Sequence, residues 1–284
     1  MPPRLAPEYP ISNTRFPRVW IFFLVFGIGY LISVPACGST RPVIKFGLVA
    51  PFEGRYRPVG YDAIYAARLA VRERNASGGV GSYRVELVAY DDGGDAQAAT
   101  ERARQLALDP QVVAVIGHFR VDTTRAAWNV YAREALPLVA PVIPADALPD
   151  SPCVGCSFPA AFRTGATSRT ISESVGLEQV FAGSVTTGTL FTSDAPWPRD
   201  VPEARQFIAN YRTVSNGAEP GPYAWATYQA VQMLFEAMAR EPGRLTRRGT
   251  GAQLARRFSA QGMLPNVPVY VYRLDSQGQP VLQR

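Results

Sequence analysis

Two textures of apolar positions alternate along the first half of the chain. Short apolar runs at residues 43–50 (VIKFGLVA), 83–90 (YRVELVAY), 112–116 (VVAVI) and 136–140 predict strands. The run 112–116 has polar residues on neither face, as a central parallel strand covered by helices on both sides requires, and it ends at Gly117. Between these runs the apolar positions recur every three or four residues. Helices are predicted at 61–75, closed by Gly78 and Gly79, and at 96–108, with Ala96, Ala99, Ala103 and Leu106 on one stripe before Pro110. A third helix, capped by Asp122 or Thr123, turns Ala127, Val130 and Tyr131 inward. Strands alternating with helices imply an α/β fold with a parallel sheet and right-handed crossovers. Ligands bind such sheets beyond the carboxyl ends of the strands, so 117–124 and 141–146 are the loops expected to face a cleft.

The second half is less regular. A strand is expected at 157–164, a helix at 167–179 and a β-branched strand at 185–192 (VTTGTLFT), before a proline-bearing loop at 195–202. Residues 203–212 predict a helix with Ala204, Phe207, Ile208 and Tyr211 inward. The strongest helical pattern is 222–240, with proline in its first turn and Ala224, Tyr228, Val231, Phe235 and Met238 on one face. A shorter helix is expected at 251–261, and 267–274 with 280–282 flank a turn as a closing hairpin.

The first residues do not look like part of a domain. Arg4, Arg15 and Arg18 precede an unbroken apolar run, 19–34, followed by Val34, Pro35, Ala36 and Cys37, the order of a secretory signal over residues 1–36. Valine three places before a cysteine and alanine just before it resemble a bacterial lipobox, which makes Cys37 the expected lipidation site; an uncleaved signal anchor is the other reading. Both place the remaining roughly 250 residues outside the cytoplasm. Lys45 is the sole lysine among 29 basic residues, and the arginines are scattered rather than gathered into a run, so the net charge of +6 is no sign of a nucleic-acid partner. Cys153 and Cys156 lie in a proline-rich turn and are expected to form a disulfide in an oxidising compartment; His118 is the only histidine, too few ligands for a metal site.

Candidate chemistry follows from the two cleft loops. Free N–H groups at the start of the third helix, the hydroxyls of Thr123 and Thr124, and Arg120 are donors for a carboxylate, whereas Asp122 competes for the same N–H groups. Tyr56, after the first strand, is placed to cover an apolar side chain, and Val142, Ile143 and Tyr223 complete the list of candidate contacts. His118 has no cysteine, serine or paired carboxylate beside it and is expected to be a hydrogen-bonded strand-end residue rather than a catalyst. Asp91, Asp92 and Asp95 lack the alternate spacing of a calcium loop and suit a turn ending in a helix cap. No phosphate loop, dinucleotide fingerprint or nucleophile elbow is present, so no cofactor and no enzyme activity are expected.

Phe46 to Pro51 (FGLVAP), 66–79 (AARLAVRERNASGG), 85–92 (VELVAYDD), 113–118 (VAVIGH), Phe162-Arg-Thr164 and 221–231 (GPYAWATYQAV) resemble, in order, landmarks of the leucine/isoleucine/valine-binding proteins, the extracytoplasmic receptors of branched-chain amino-acid ABC transporters. The resemblance implies two α/β lobes that close on a small amino-acid-like ligand, an ABC permease as partner, and a membrane tether through Cys37. It divides the chain into a lipidated linker (37–42), a first lobe (43–156), a second lobe (157–217), helices returning to the first lobe (218–262) and a C-terminal hairpin (263–284). The second lobe is truncated. Between Thr164 and Gly183 a family member carries two or three further βα units of roughly 30 residues each, and with them the acidic and aromatic groups that hold a ligand's ammonium. Val121, Asp122 and Thr123 stand where the family has serines. Val142, Ile143 and Pro144 replace Ala-Ala-Thr, and Pro144 has no N–H to give. A sensory or protein-interaction module that has lost amino-acid binding is the alternative function.

Overall fold

A computed structural model describes residues 41–144, 147–148, 161–164, 175–176, 180, 183 and 185–283. The signal segment, Cys37, the Cys153 and Cys156 pair and most of the helix expected at 167–179 lie outside the described residues. Arg41–Arg284 form one compact unit. Among the described residues no helix is long and apolar enough to cross a membrane.

Five parallel strands, β1 (Val43–Ala50), β2 (Arg84–Asp91), β3 (Val112–Gly117), β4 (Leu138–Ala140) and β5 (Ala161–Arg163), make a sheet in the order β2-β1-β3-β4-β5. β3 is buried along its whole length, as its two apolar faces demand. Helix α1 (Arg57–Ala76) follows β1, α2 (Ala96–Leu108) follows β2, and α3 (Val121–Arg133) follows β3. α2 has the expected limits because Asp95 accepts from Ala98 N at 2.8 Å and so closes its first turn. α1 begins earlier than the periodicity shows: a 3-10 turn (Gly54–Tyr56) runs straight into it, and Pro58 stands in its first turn, where a missing N–H costs nothing. Gly60 permits this entry, since a Cβ there would lie 2.1 Å from the Pro51 carbonyl oxygen.

The second sheet is small, in the order β6-β7-β8-β9: β6 (Val175–Gly176) runs parallel to β7 (Leu190–Ser193), while β8 (Tyr270–Leu274) and β9 (Pro280–Leu282) are antiparallel. Residues 175–176 are therefore a strand where helix was expected, and the 185–192 strand is confined to its end. The C-terminal hairpin is as anticipated. Helix α4 (Arg205–Val214) and helix α5 (Pro222–Ala239) pack on α1 through Phe207, Tyr211 and Trp225, whereas α6 (Arg247–Ala255) lies earlier than the 251–261 expected. Arg163 ties the edge of the large sheet to the segment after α6: its N–H donates to Gly262 O at 2.7 Å, its carbonyl accepts from Leu264 N at 3.0 Å, and its buried guanidinium donates to Leu148 O and Gln261 O.

Candidate functional site

The sheet order reverses between β1 and β3, so the crevice beyond their carboxyl ends is where this architecture holds ligands. Two expected contact residues meet there. The Arg120 guanidinium lies 3.9 Å from the centroid of the Tyr56 ring, a cation over an aromatic face. The same guanidinium grips Asp122 in a fork, Nε to Oδ1 at 3.1 Å and Nη2 to Oδ2 at 2.7 Å, and Asp122 Oδ1 also accepts from Thr123 N at 2.8 Å. Partial burial alone pushes the Asp122 carboxyl up, but the hydrogen bonds from Arg120 and Thr123 and the Arg120 charge outweigh it and hold the group below the ordinary carboxylate range.

The helix cap differs from the expected one. The N-cap position is Arg120, without a side-chain cap, and Asp122 sits in the first turn. Thr123 and Thr124 are buried, and their hydroxyls donate to the Arg120 carbonyl at 3.2 and 2.6 Å. Thr124 Oγ1 also lies 3.1 Å from His118 O. In the first turn a threonine hydroxyl reaches the carbonyl three or four residues back more readily than it reaches outward, so these donors are spent internally.

Below this plug is a fully buried polar chain. Asp92 Oδ2 lies 2.7 Å from His118 Nδ1, and His118 Nε2 lies 3.0 Å from the Tyr131 hydroxyl. Burial first, and then the Asp92 charge, push the Tyr131 hydroxyl well above its usual range. His118 thus follows the end of β3 and links the turn after β2 to helix α3. Asp91 and Asp92 accept from the turn N–H groups of Gly93 and Gly94 at 2.8 and 3.0 Å, as a turn leading to the Asp95 cap requires. Among the described residues no group of three or more histidine, cysteine or acidic side chains is placed to hold a metal ion.

The remaining candidates divide. Ile143 and Tyr223 are buried, and Tyr223 packs edge-on against Phe119 at 6.0 Å. Val142, half-buried, adopts φ +54°, a strained value for a β-branched residue. It stands on the wall of a cavity of about 570 Å³, opposite Thr164 at the end of β5 and bounded by residues 194–203 and by α5. Trp225, Tyr228 and Tyr270 are its aromatic walls, and Asp194, Glu203 and Glu236 its carboxylates. Arg257 is the basic residue of the lining and is paired with Glu236 at 2.8 Å.

Residues 43–179 match the family model for periplasmic binding proteins. That match covers just under half of the chain. Among curated relatives, the Leu/Ile/Val-binding protein of Escherichia coli K12 is 30% identical over 105 residues, which are 37% of this chain and 28% of that protein. The chain thus matches less than a third of that relative's length. An ABC transporter substrate-binding protein from Desulfitobacterium hafniense, solved in complex with Leu, shares the fold with a TM-score of 0.65 at 18% identity, covering 85% of this chain and all of that one. A solute-binding protein from R. palustris, solved in complex with benzoate, has a TM-score of 0.65 at 15% identity, covering 84% of this chain and 95% of that one.

Within this periplasmic-binding-protein fold, the cavity draws on residues outside the sequence-derived list. Glu203 and Tyr270 carry no local motif, and they line the cavity with Thr164 from chain segments far apart. Tyr228, expected in the core, is half-buried on the cavity wall, its hydroxyl donating to Glu73 Oε2 at 2.6 Å. The one available signal was the aromatic spacing of Trp225 and Tyr228 in the strongest helix.

A second cavity, of about 670 Å³, lies between α1, α4 and Trp197. Its charged groups are committed: Arg212 pairs with Glu219 at 2.8 Å, and the buried Asp62 carboxylate accepts from Gly221 N at 2.7 Å and Ala224 N at 2.8 Å.

Proposed function

We propose that this chain is an extracytoplasmic solute-binding lipoprotein, tethered through Cys37, that captures a small ligand in an inter-lobe cleft and presents it to an ABC permease. The match of residues 43–179 to the periplasmic binding protein model supports a binding role rather than an enzymatic one. The observation that carries the proposal is the 570 Å³ cavity where the carboxyl ends of β4 and β5 face the segment from the second sheet. Its volume suits a metabolite-sized ligand, and the strained Val142 at its wall is the kind of backbone outlier that clusters at ligand sites.

The list of contacts shifts accordingly. Val142 stays a proposed contact and is joined by Thr164, Glu203, Trp225, Tyr228 and Tyr270. Tyr56, Arg120 and Asp122 cluster beyond β1 and β3, where the Thr123 and Thr124 hydroxyls hold the Arg120 carbonyl. The test is a thermal-shift panel of amino acids, amines and carboxylates on the full chain in mild detergent. A ligand that stabilises the native chain and has a much smaller effect on Ala226→Leu, which intrudes on the cavity, supports the reading; stabilisation undiminished in Ala226→Leu counts against this site.

A specific observation favours a second reading. The Arg120 and Asp122 fork occupies the donors that a ligand carboxylate needs, as in a sensory or interaction module that no longer binds amino acids. A chain that responds to no panel member, yet captures a defined membrane partner through residues 117–124, selects that reading.

A further inference from the structure

The charges around the cavity bear on what kind of solute it accepts. An amino acid brings a carboxylate and an ammonium, and each needs an opposite partner before it leaves water. For the carboxylate the structure offers little. Arg257 is already held by Glu236 at 2.8 Å, and Arg120 by Asp122 at 2.7 Å. The Thr123 and Thr124 hydroxyls are spent on backbone carbonyls, and Pro144 has no N–H. For a cation the situation is reversed. Glu203 is exposed on the cavity wall and makes no ion pair among the described residues. It also stands close to Tyr270, whose hydroxyl is pushed up first by burial and then by the Glu203 charge. Val142, Trp225, Met233 and Leu264 supply apolar and aromatic surface beside it.

We propose that the cavity between the β4 and β5 ends and residues 194–203 takes a small organic monocation, an alkylammonium with an apolar body, in preference to a zwitterionic amino acid. This rests on the solute-binding reading above and adds the ligand class. Glu203 is the specificity-determining residue: it matches the ammonium at the exposed wall of the cavity, and the aromatic side chains add cation–π attraction. Discrimination against the zwitterion comes from desolvating a carboxylate that finds no uncommitted cation there.

Isothermal titration of the full chain with three related probes tests this. 3-Methylbutylamine is leucine without its carboxylate, 4-methylpentanoate is leucine without its ammonium, and leucine has both. The amine is expected to bind at least about tenfold more tightly than leucine, with 4-methylpentanoate weakest, and to weaken as salt rises. Glu203→Gln is expected to weaken the amine about fivefold and to remove most of its salt dependence, whereas Glu101→Gln on α2 leaves both unchanged. Glu203 is exposed, so the substitution does not threaten folding. Tighter binding of leucine or 4-methylpentanoate than of the amine overturns the inference and leaves the solute-binding reading standing. So does unchanged amine affinity in Glu203→Gln. Absence of binding by all three probes and by the wider panel removes both.

Discussion

The carboxylate of Asp62 caps a helix to which it does not belong: from α1 it accepts the N–H of Ala224, in the first turn of α5, at 2.8 Å. Its other oxygen accepts from Gly221 N at 2.7 Å, and the Tyr211 hydroxyl of α4 lies 3.3 Å away. One buried group therefore joins three helices. Burial pushes its carboxyl up to about 7, against the opposing effect of these hydrogen bonds. The sign of the pH dependence follows. Below about pH 4 folded and unfolded chains both carry the proton, and this group's contribution is fully present. As pH rises the unfolded carboxyl releases its proton first, and the contribution is lost until pH passes about 7. Urea midpoints are expected to fall between pH 5 and 8 in the native chain, by at most ~1.4 kcal/mol per pH unit from this group, and to fall less in Asp62→Asn. Parallel slopes in the two proteins refute the assignment.

Replacing His118 by phenylalanine leaves the buried Asp92 carboxylate and Tyr131 hydroxyl without their shared partner. The expected loss is roughly 3 kcal/mol or more, whereas Tyr131→Phe, which removes a terminal hydroxyl, costs about 1 kcal/mol. Denaturant unfolding measures both, and equal losses count against a linked chain of hydrogen bonds.

Gly117 closes β3 at φ +127°, where a Cβ would meet the Val49 carbonyl oxygen at 2.2 Å. Because that oxygen belongs to the neighbouring strand, relief requires the sheet itself to shift. Gly117→Ala is expected to destabilise by about 3 kcal/mol, well beyond the roughly 1 kcal/mol of an ordinary strand substitution. A Tm shift of only a degree or two would refute this.

Leucine, isoleucine and valine are expected to bind weakly or not at all. Losing two charge-assisted hydrogen bonds at about 1.5 to 3 kcal/mol each lowers affinity by roughly two to four powers of ten. Titration calorimetry finding sub-micromolar leucine binding shows instead that the site holds both charges of an amino acid and that the Arg120 and Asp122 fork opens for a ligand.

Cys37 is expected to carry the lipid that tethers the chain. Metabolic labelling with a fatty acid should mark the native chain and not Cys37→Ser; label retained by the variant excludes the assignment.

Much of the large sheet was legible along the chain. Val43–Ala50 and Ala96–Leu108 stand where the pattern puts them, because a strand's burial and a helix's stripe and cap are written within a few consecutive residues. Local signals were less informative wherever a terminus is set by something outside it. α1 starts at Arg57 because the Pro51 loop lies against Gly60, and the start of α3 is fixed by carbonyls its own threonines bind.

The sequence alone determined the class of the fold, the parallel sheet with its carboxyl-end loops and the family resemblance. Tertiary structure decided the chemistry. It set the Arg120 guanidinium over the Tyr56 ring, committed Asp62 to a helix 162 residues away, and brought Thr164, Glu203 and Tyr270 to one cavity. Periodicity reports which side of an element is buried, because burial is a property of one face. A hydrogen bond or ion pair depends on which distant group arrives opposite that face, and only the packed chain supplies it.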